Sequence, residues 1–219
     1  MSRSITGTLS ALSILFLAAC GSATDPTVAA PRVAMSLADF GTTLDGGPRR
    51  IEVKLHPGTL VAREIEAEAD DNEEKIEAQV TAIDPASGTV ILALGGLVVG
   101  YTDATRFRTP SDSRVSRAAW EAAITDALAQ GQQPPIEVRR IAPAAPQAPT
   151  DGAFAANDLR LADRVDEPSI EIFVDADNLE TTAAPPPVAF LKILGITIDV
   201  TSSTEVFEGA PDDHGEMDN

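Results

Sequence analysis

The sequence predicts a mainly β fold in which two small five-stranded barrels each carry one helix. Three observations predict it. Apolar and polar residues alternate with period two over many short segments, the chain repeats itself internally, and only one long helical pattern interrupts the strands.

The repeat comes first because it sets the architecture. The 26 residues from Gly58, "GTLVAREIEAEADDNEEKIEAQVTAI", align without a gap on those from Gly152, "GAFAANDLRLADRVDEPSIEIFVDAD", at an offset of 94. Leu60 meets Phe154, Ala62 meets Ala156, Ile65 meets Leu159, Ile76 meets Ile170 and Val80 meets Val174. Upstream, "IEVK" at Ile51 pairs with "IEVR" at Ile136, the second copy carrying the Pro-rich insertion "IAPAAPQAPT". Downstream, Leu97, Val99, Tyr101 and Thr105 pair with Ile196, Ile198, Val200 and Thr204 after an insertion around "TTAAPPP".

Ile76, Ala78, Val80 and Ala82 alternate with polar residues, "DPASG" supplies a turn, and Val90, Leu92 and Leu94 return as the second arm of a hairpin. In "GTLVAREIEA" the apolar set slips by one position between Ala62 and Ile65, and the second copy slips likewise between Ala156 and Leu159. One extra residue on a strand reverses the facing of the residues after it, so both copies are expected to bulge. The segment "SRAAWEAAITDALAQG" places Trp120, Ile124 and Leu128 on one helical face and stops at Gly131; "SLADFGTTLDGG" is a shorter version capped by Ser36.

From Ile76 the order is three strands, a helix and two strands, the plan of a five-stranded OB-type barrel. The segments "IEAQVTAIDPASGTVIL", "LVVGYTDATRF", "IEVRR" and "GAFAANDLRLAD" resemble those of the domain-of-unknown-function family 5666, a small β-barrel module of exported bacterial proteins. The resemblance covers most of residues 36 to 208 and implies a fold without catalytic residues. The long helix and the Pro-rich insertion depart from the family pattern. The expected organisation is a central OB-like barrel over 75–162 and a second barrel from 36–70 with 168–208, assembled from the two chain ends. The alternative is sequential closure of units 36–108 and 111–208. Placing the Leu60 strand beside Ile198 favours the first, and placing it beside Val99 the second.

Before the repeat, Arg3 precedes the apolar run "LSALSILFLAAC", too short to span a bilayer and proportioned as a signal peptide over 1–19. Leu17, Ala18, Ala19 and Cys20 resemble the lipobox of bacterial lipoproteins, which implies cleavage before Cys20 and its acylation. The single cysteine excludes an internal disulfide, and the small polar residues after it read as a flexible tether over 20–35. The membrane is thus the partner of the lipid, and the cell envelope the location. With Gly21 and Ser22 after the cysteine, the resemblance points to the outer membrane, facing the periplasm, in a host with two membranes.

The formal charge is −18, with 34 acidic residues against 16 basic. Nucleic-acid binding requires Lys and Arg to neutralise phosphates, so this balance speaks against it. His56 lies in "HPG" and His214 in the acidic tail 209–219, which is expected to be disordered; neither suits a catalytic triad. No His/Cys zinc spacing or phosphate loop is present, so neither a cofactor nor a metal is expected. "EAEADDNEEKIE" is expected to be a solvated connection between strands. Arg106, Arg108, Arg139 and Arg140 cluster near strand ends and form the candidate ligand site, suited to an anionic sugar or a partner's carboxylates. The expected role is a non-catalytic binding or scaffolding module with an envelope protein or glycan as partner. Rival readings are a carboxylate-dependent hydrolase of envelope glycans and a calcium-dependent module using "DADNLE" or the tail.

Overall fold

The computed structural model describes residues 32–68, 73–141, 154–182 and 188–209. Leu17 to Cys20, His214 and nearly all of the acidic tail lie outside the described residues. The described residues fall in one compact unit, and none of their helices is long and apolar enough to cross a membrane.

The chain opens with β1 (Val33–Ala34), α1 (Leu37–Asp45), β2 (Arg49–Leu55) and β3 (Ala62–Ala67). The middle runs through β4 (Glu73–Asp84), β5 (Thr89–Leu92), β6 (Val98–Gly100), β7 (Arg106–Arg108), β8 (Arg114–Val115), α2 (Arg117–Ala129), β9 (Pro135–Ile141), β10 (Phe154–Ala155) and β11 (Asp158–Leu161). The last stretch holds β12 (Ser169–Val174), a 3-10 turn at Ala176–Asn178, β13 (Leu179–Thr181), β14 (Ala189–Ile193), β15 (Ile196–Val200) and β16 (Glu205–Glu208).

Both helices start at a serine that satisfies a free backbone N–H. Ser36 Oγ accepts from Asp39 N at 3.1 Å, and Ser116 Oγ from Ala119 N at 3.2 Å. Each buries one stripe, Phe40 with Leu44 and Trp120 with Ile124. Trp120 packs between Tyr101 and Phe107, with ring centroids 5.8 and 5.4 Å away.

Strand pairing follows the repeat. In the middle of the chain β4 pairs with β5 and β9, β5 with β6, β6 in parallel with β10, and β11 with β9 and, in parallel, with β7. From the two ends of the chain, β12 pairs with β2, β2 with β3, and β3 in parallel with β16, while β13, β14 and β15 form a three-stranded sheet. Asp199 N donates to Leu60 O at 2.8 Å and Val61 bridges Asp199; in the other copy Phe154 faces Val99. The copies agree down to single hydrogen bonds. Thr105 Oγ1 donates to Ala156 O at 2.9 Å, and Thr204 Oγ1 to Ala62 O at 2.7 Å.

The fold is therefore mainly β, but its sheets are not the two separate five-stranded barrels expected. The sixteen described strands form one thirteen-stranded sheet and one three-stranded sheet. One cause is that β12 pairs with β2 along one edge and with β4 along the other, Ile170 facing both Val53 and Ile76, which fuses the halves. The other cause is strand breakage. Ala156 and Asn157 separate β10 from β11, and the 3-10 turn, capped by Asp175, separates β12 from β13. The slip in the first copy is a register shift that leaves Arg63 extra between Ala62 and Glu64; 94 positions on, Asn157 takes the same place. One buried apolar cluster runs through both halves, from Phe40 and Ile65 to Trp120 and Leu159.

The acidic stretch that begins at Glu66 is not simply a solvated connection. Glu66 is buried in β3, Glu68 pairs with Arg50, and Glu74, 1% exposed, is part of β4.

Candidate functional site

Side chains alternate across a strand, so register decides which charges meet. On the outer face, Arg139 of β9 stands between Lys75 of β4 and Asp158 of β11, and Asp158 stands between Arg139 and Arg106 of β7. Two positions along, Glu137 faces Arg160, and Arg160 faces Arg108. All of these but Lys75 line a surface cleft of about 320 Å³, with Glu73, Asp112, Arg140, Ile141 and Asn157 completing its wall.

Two short chains of ion pairs hold the cleft. In one, Asp158 Oδ2 accepts from Arg108 Nε at 3.0 Å and is ion-paired with Arg106 Nε at 3.2 Å, while Arg108 Nη1 grips both oxygens of Asp112 at 2.7 and 2.9 Å. In the other, Glu137 accepts from Arg139 Nε at 2.5 Å and Arg160 Nη2 at 2.8 Å, and Arg139 Nη1 reaches Glu73 at 3.0 Å. Hydrogen bonds from Arg108 hold the Asp112 carboxyl below the usual carboxylate range. Asn157 pins the wall: its N–H donates to Arg139 O, its C=O accepts from Arg106 N, and its Oδ1 accepts from Ile141 N, each at 2.9 Å.

The structure thus brings Arg106, Arg108 and Arg139 together on one face and separates Arg140 from them. Arg140 shares the inward parity of Ile136 and Val138, its Nε and Nη2 both 2.5 Å from Glu74, and its guanidinium lies 4.2 Å from the centroid of Phe154. It touches the cleft only from the edge. Arg160, Asp158 and Glu137 are the site residues that the sequence reading missed. Their signal was present, since "DLRL" alternates Leu159 and Leu161 inward with Asp158 and Arg160 outward.

Donors outnumber acceptors in this cleft. Among the described residues, Arg106 uses only Nε and is 50% exposed, and the buried Nε of Arg160 has no partner. Every carboxylate of the wall, by contrast, is engaged by an arginine.

A second charged group lies at the far end of the same sheet. Oxygens of Glu52, Glu64 and Glu66 lie within 4.8 Å of one another. Lys54 Nζ stands 2.8 Å from Glu64 and 3.0 Å from Glu52, and Arg32 reaches Glu64 at 2.8 Å and Glu66 at 3.1 Å. Burial pushes Glu64 up, yet the Lys54 hydrogen bond and the nearby positive charges overcome it and hold its pKa below the usual value. Burial keeps Glu66 above its usual value, Arg32 pulling the other way. Lys54 and Arg32 between them pair with all three carboxylates. Of the segment "DADNLE", Asp175 caps the 3-10 turn by accepting from Asp177 N at 2.9 Å, which commits that carboxylate to the backbone.

Comparisons with family models, with curated proteins and with solved structures return no significant match.

Proposed function

We propose that this chain is a lipid-anchored, non-catalytic binding module of the cell envelope, built from two OB-like halves that resemble family 5666, with the arginine cleft as its ligand site. The observation that carries the reading is the convergence of Arg106, Arg108, Arg139 and Arg160 from three strands far apart in sequence, with donors to spare inside an acidic protein. Guanidinium groups are the side chains best suited to hold carboxylates and similar anions. The order of pairing supports the OB-like halves. In the central copy strand one neighbours two and four and strand three lies parallel to five; in the copy drawn from both chain ends β12 pairs with β2, the short β13 after it pairs with β14, and Asp199 meets Val61 in a single parallel bridge.

Binding without chemistry fits the same geometry. General acid catalysis needs a carboxyl that holds its proton, and an arginine engages each carboxylate of the cleft. The anchor rests on Leu17 to Cys20. Multiple acyl chains give stable attachment where one gives only marginal binding. If the host has two membranes, the outer one carries the protein, facing the periplasm.

Crosslinking in living cells tests this reading. The Cys20→Ser form should leave the membrane fraction, and its retention there at wild-type level would refute the anchor. Crosslinked products of the wild type should disappear in an Arg106→Gln/Arg139→Gln double variant that keeps its melting temperature. Unchanged products would refute the cleft as the binding site.

A further inference from the structure

We infer that the cleft selects a single carboxylate joined to an aliphatic group, and rejects ligands of higher negative charge. This rests on the reading of the cleft as a binding site and adds the class of ligand. Three observations carry it.

The first is charge balance. Arg140 is spent on Glu74, which leaves Arg106, Arg108, Arg139 and Arg160 against Glu73, Asp112, Glu137 and Asp158. Four charges meet four. A monoanion makes the site mildly negative, whereas phosphate dianion or citrate would add two or three charges to a balanced wall on a chain of formal charge −18. Repulsion by uncompensated like charge is a standard route to selectivity.

The second is unused hydrogen-bonding capacity of one sign. Each ion-pair chain ends on an arginine that contacts one carboxylate only, Arg106 on Asp158 and Arg160 on Glu137. The two stand on neighbouring strands, since Arg160 faces Arg108 and Asp158 faces Arg106. A carboxylate has no proton to donate and two oxygens to offer, so it uses these donors without needing an acceptor in return.

The third is Ile141. It is 65% exposed, forms part of the cleft wall, and is held there by the hydrogen bond from its N–H to Asn157 Oδ1. An aliphatic chain next to the carboxylate would cover it. The same chemistry is offered by a free short-chain acid and by a peptide C-terminus ending in an aliphatic residue.

Calorimetric titration of the full chain in detergent micelles decides the matter, with hexanoate, acetate, inorganic phosphate, citrate, an acetylated peptide ending in leucine, and the amide of that peptide as probes. Arg106→Gln, half-exposed at the native position, serves as variant and as control for partition into micelles. Hexanoate or the free-acid peptide should bind more tightly than acetate, phosphate, citrate or the amide, and the tighter of the two identifies the source. Arg106→Gln should weaken that binding about tenfold, and Ile141→Ser should erase the advantage of hexanoate over acetate. Tighter binding of phosphate or citrate, or equal binding of the amide, overturns the inference but leaves an anion or polar-ligand site standing, provided Arg106→Gln abolishes it. Absence of binding by every probe, or binding untouched by Arg106→Gln, overturns both.

Discussion

Arg139 and Arg140 are adjacent in sequence and have opposite fates. Arg139 lies on the outer face, 41% exposed, and shares Glu137 with Arg160. Arg140 points inward and pairs with a glutamate almost wholly removed from water. Deleting one partner of a buried pair strands the other charge, at a cost of about 3–5 kcal/mol, whereas deleting Arg139 leaves the buried Glu137 still held by Arg160 and breaks only an exposed pair with Glu73, of a kind that contributes about 0–1 kcal/mol. Urea unfolding should therefore show Arg140→Ala losing several times the stability lost by Arg139→Ala. The double variant Arg140→Met/Glu74→Gln should recover most of the difference. The alternation in "IEVRRI" was enough to predict that these arginines part company. It could not name Glu74 as the partner, because a register joining positions 66 residues apart leaves no local trace.

At the level of elements, local chemistry was the most legible. The "DPASG" turn, both serine-capped helices and the slip that became a bulge were all readable from neighbours in sequence. The breaks at Asn157 and at the 3-10 turn were not, since the three bonds of Asn157 go to β7 and β9, which no run of neighbours reveals. The turn between β4 and β5 yields a sharp prediction. Asp84 accepts from Ala86 N at 3.0 Å, and Gly88 follows with φ of +66° and accepts from Tyr101 N at 2.7 Å. A Cβ added at Gly88 would lie 2.5 Å from Tyr101 O, a backbone atom that cannot step aside. Gly96 also has positive φ, +80°, but open space around it. Gly96→Ala should cost about 1–2 kcal/mol for the backbone conformation alone. Gly88→Ala should cost more, and thermal melting of the two variants side by side measures the excess.

Across the whole molecule, the seam between the halves is charged and sensitive to pH. Glu68 lies 3.2 Å from Arg50 Nη1, Arg50 Nη2 lies 2.5 Å from Glu171, and Glu171 pairs with Lys75 across the β12–β4 ladder. Burial raises the Glu68 pKa from 4.5 to about 7; Arg50 opposes the rise, and Glu171, Glu52 and Glu66 add to it. The folded state then holds a proton that the unfolded chain has released, so stability falls as pH rises from 4.5 to about 7. The melting temperature should rise on acidification from pH 8 to 5, and Glu68→Gln should flatten that slope. The repeat itself was plain in the sequence, but the ladder that fuses the halves was hidden, because β4 and β12 alternate alike and nothing in either marks it as the other's neighbour. That ladder's companion, β2 against β12, has a bearing on biosynthesis. Arg50 and Glu171 are 121 residues apart. At ribosomal speeds of about 5–20 residues per second, β2 waits on the order of ten seconds for its partner to be made. During translation β2 therefore has only its hairpin partner β3, and its other edge stays open until β12 is made.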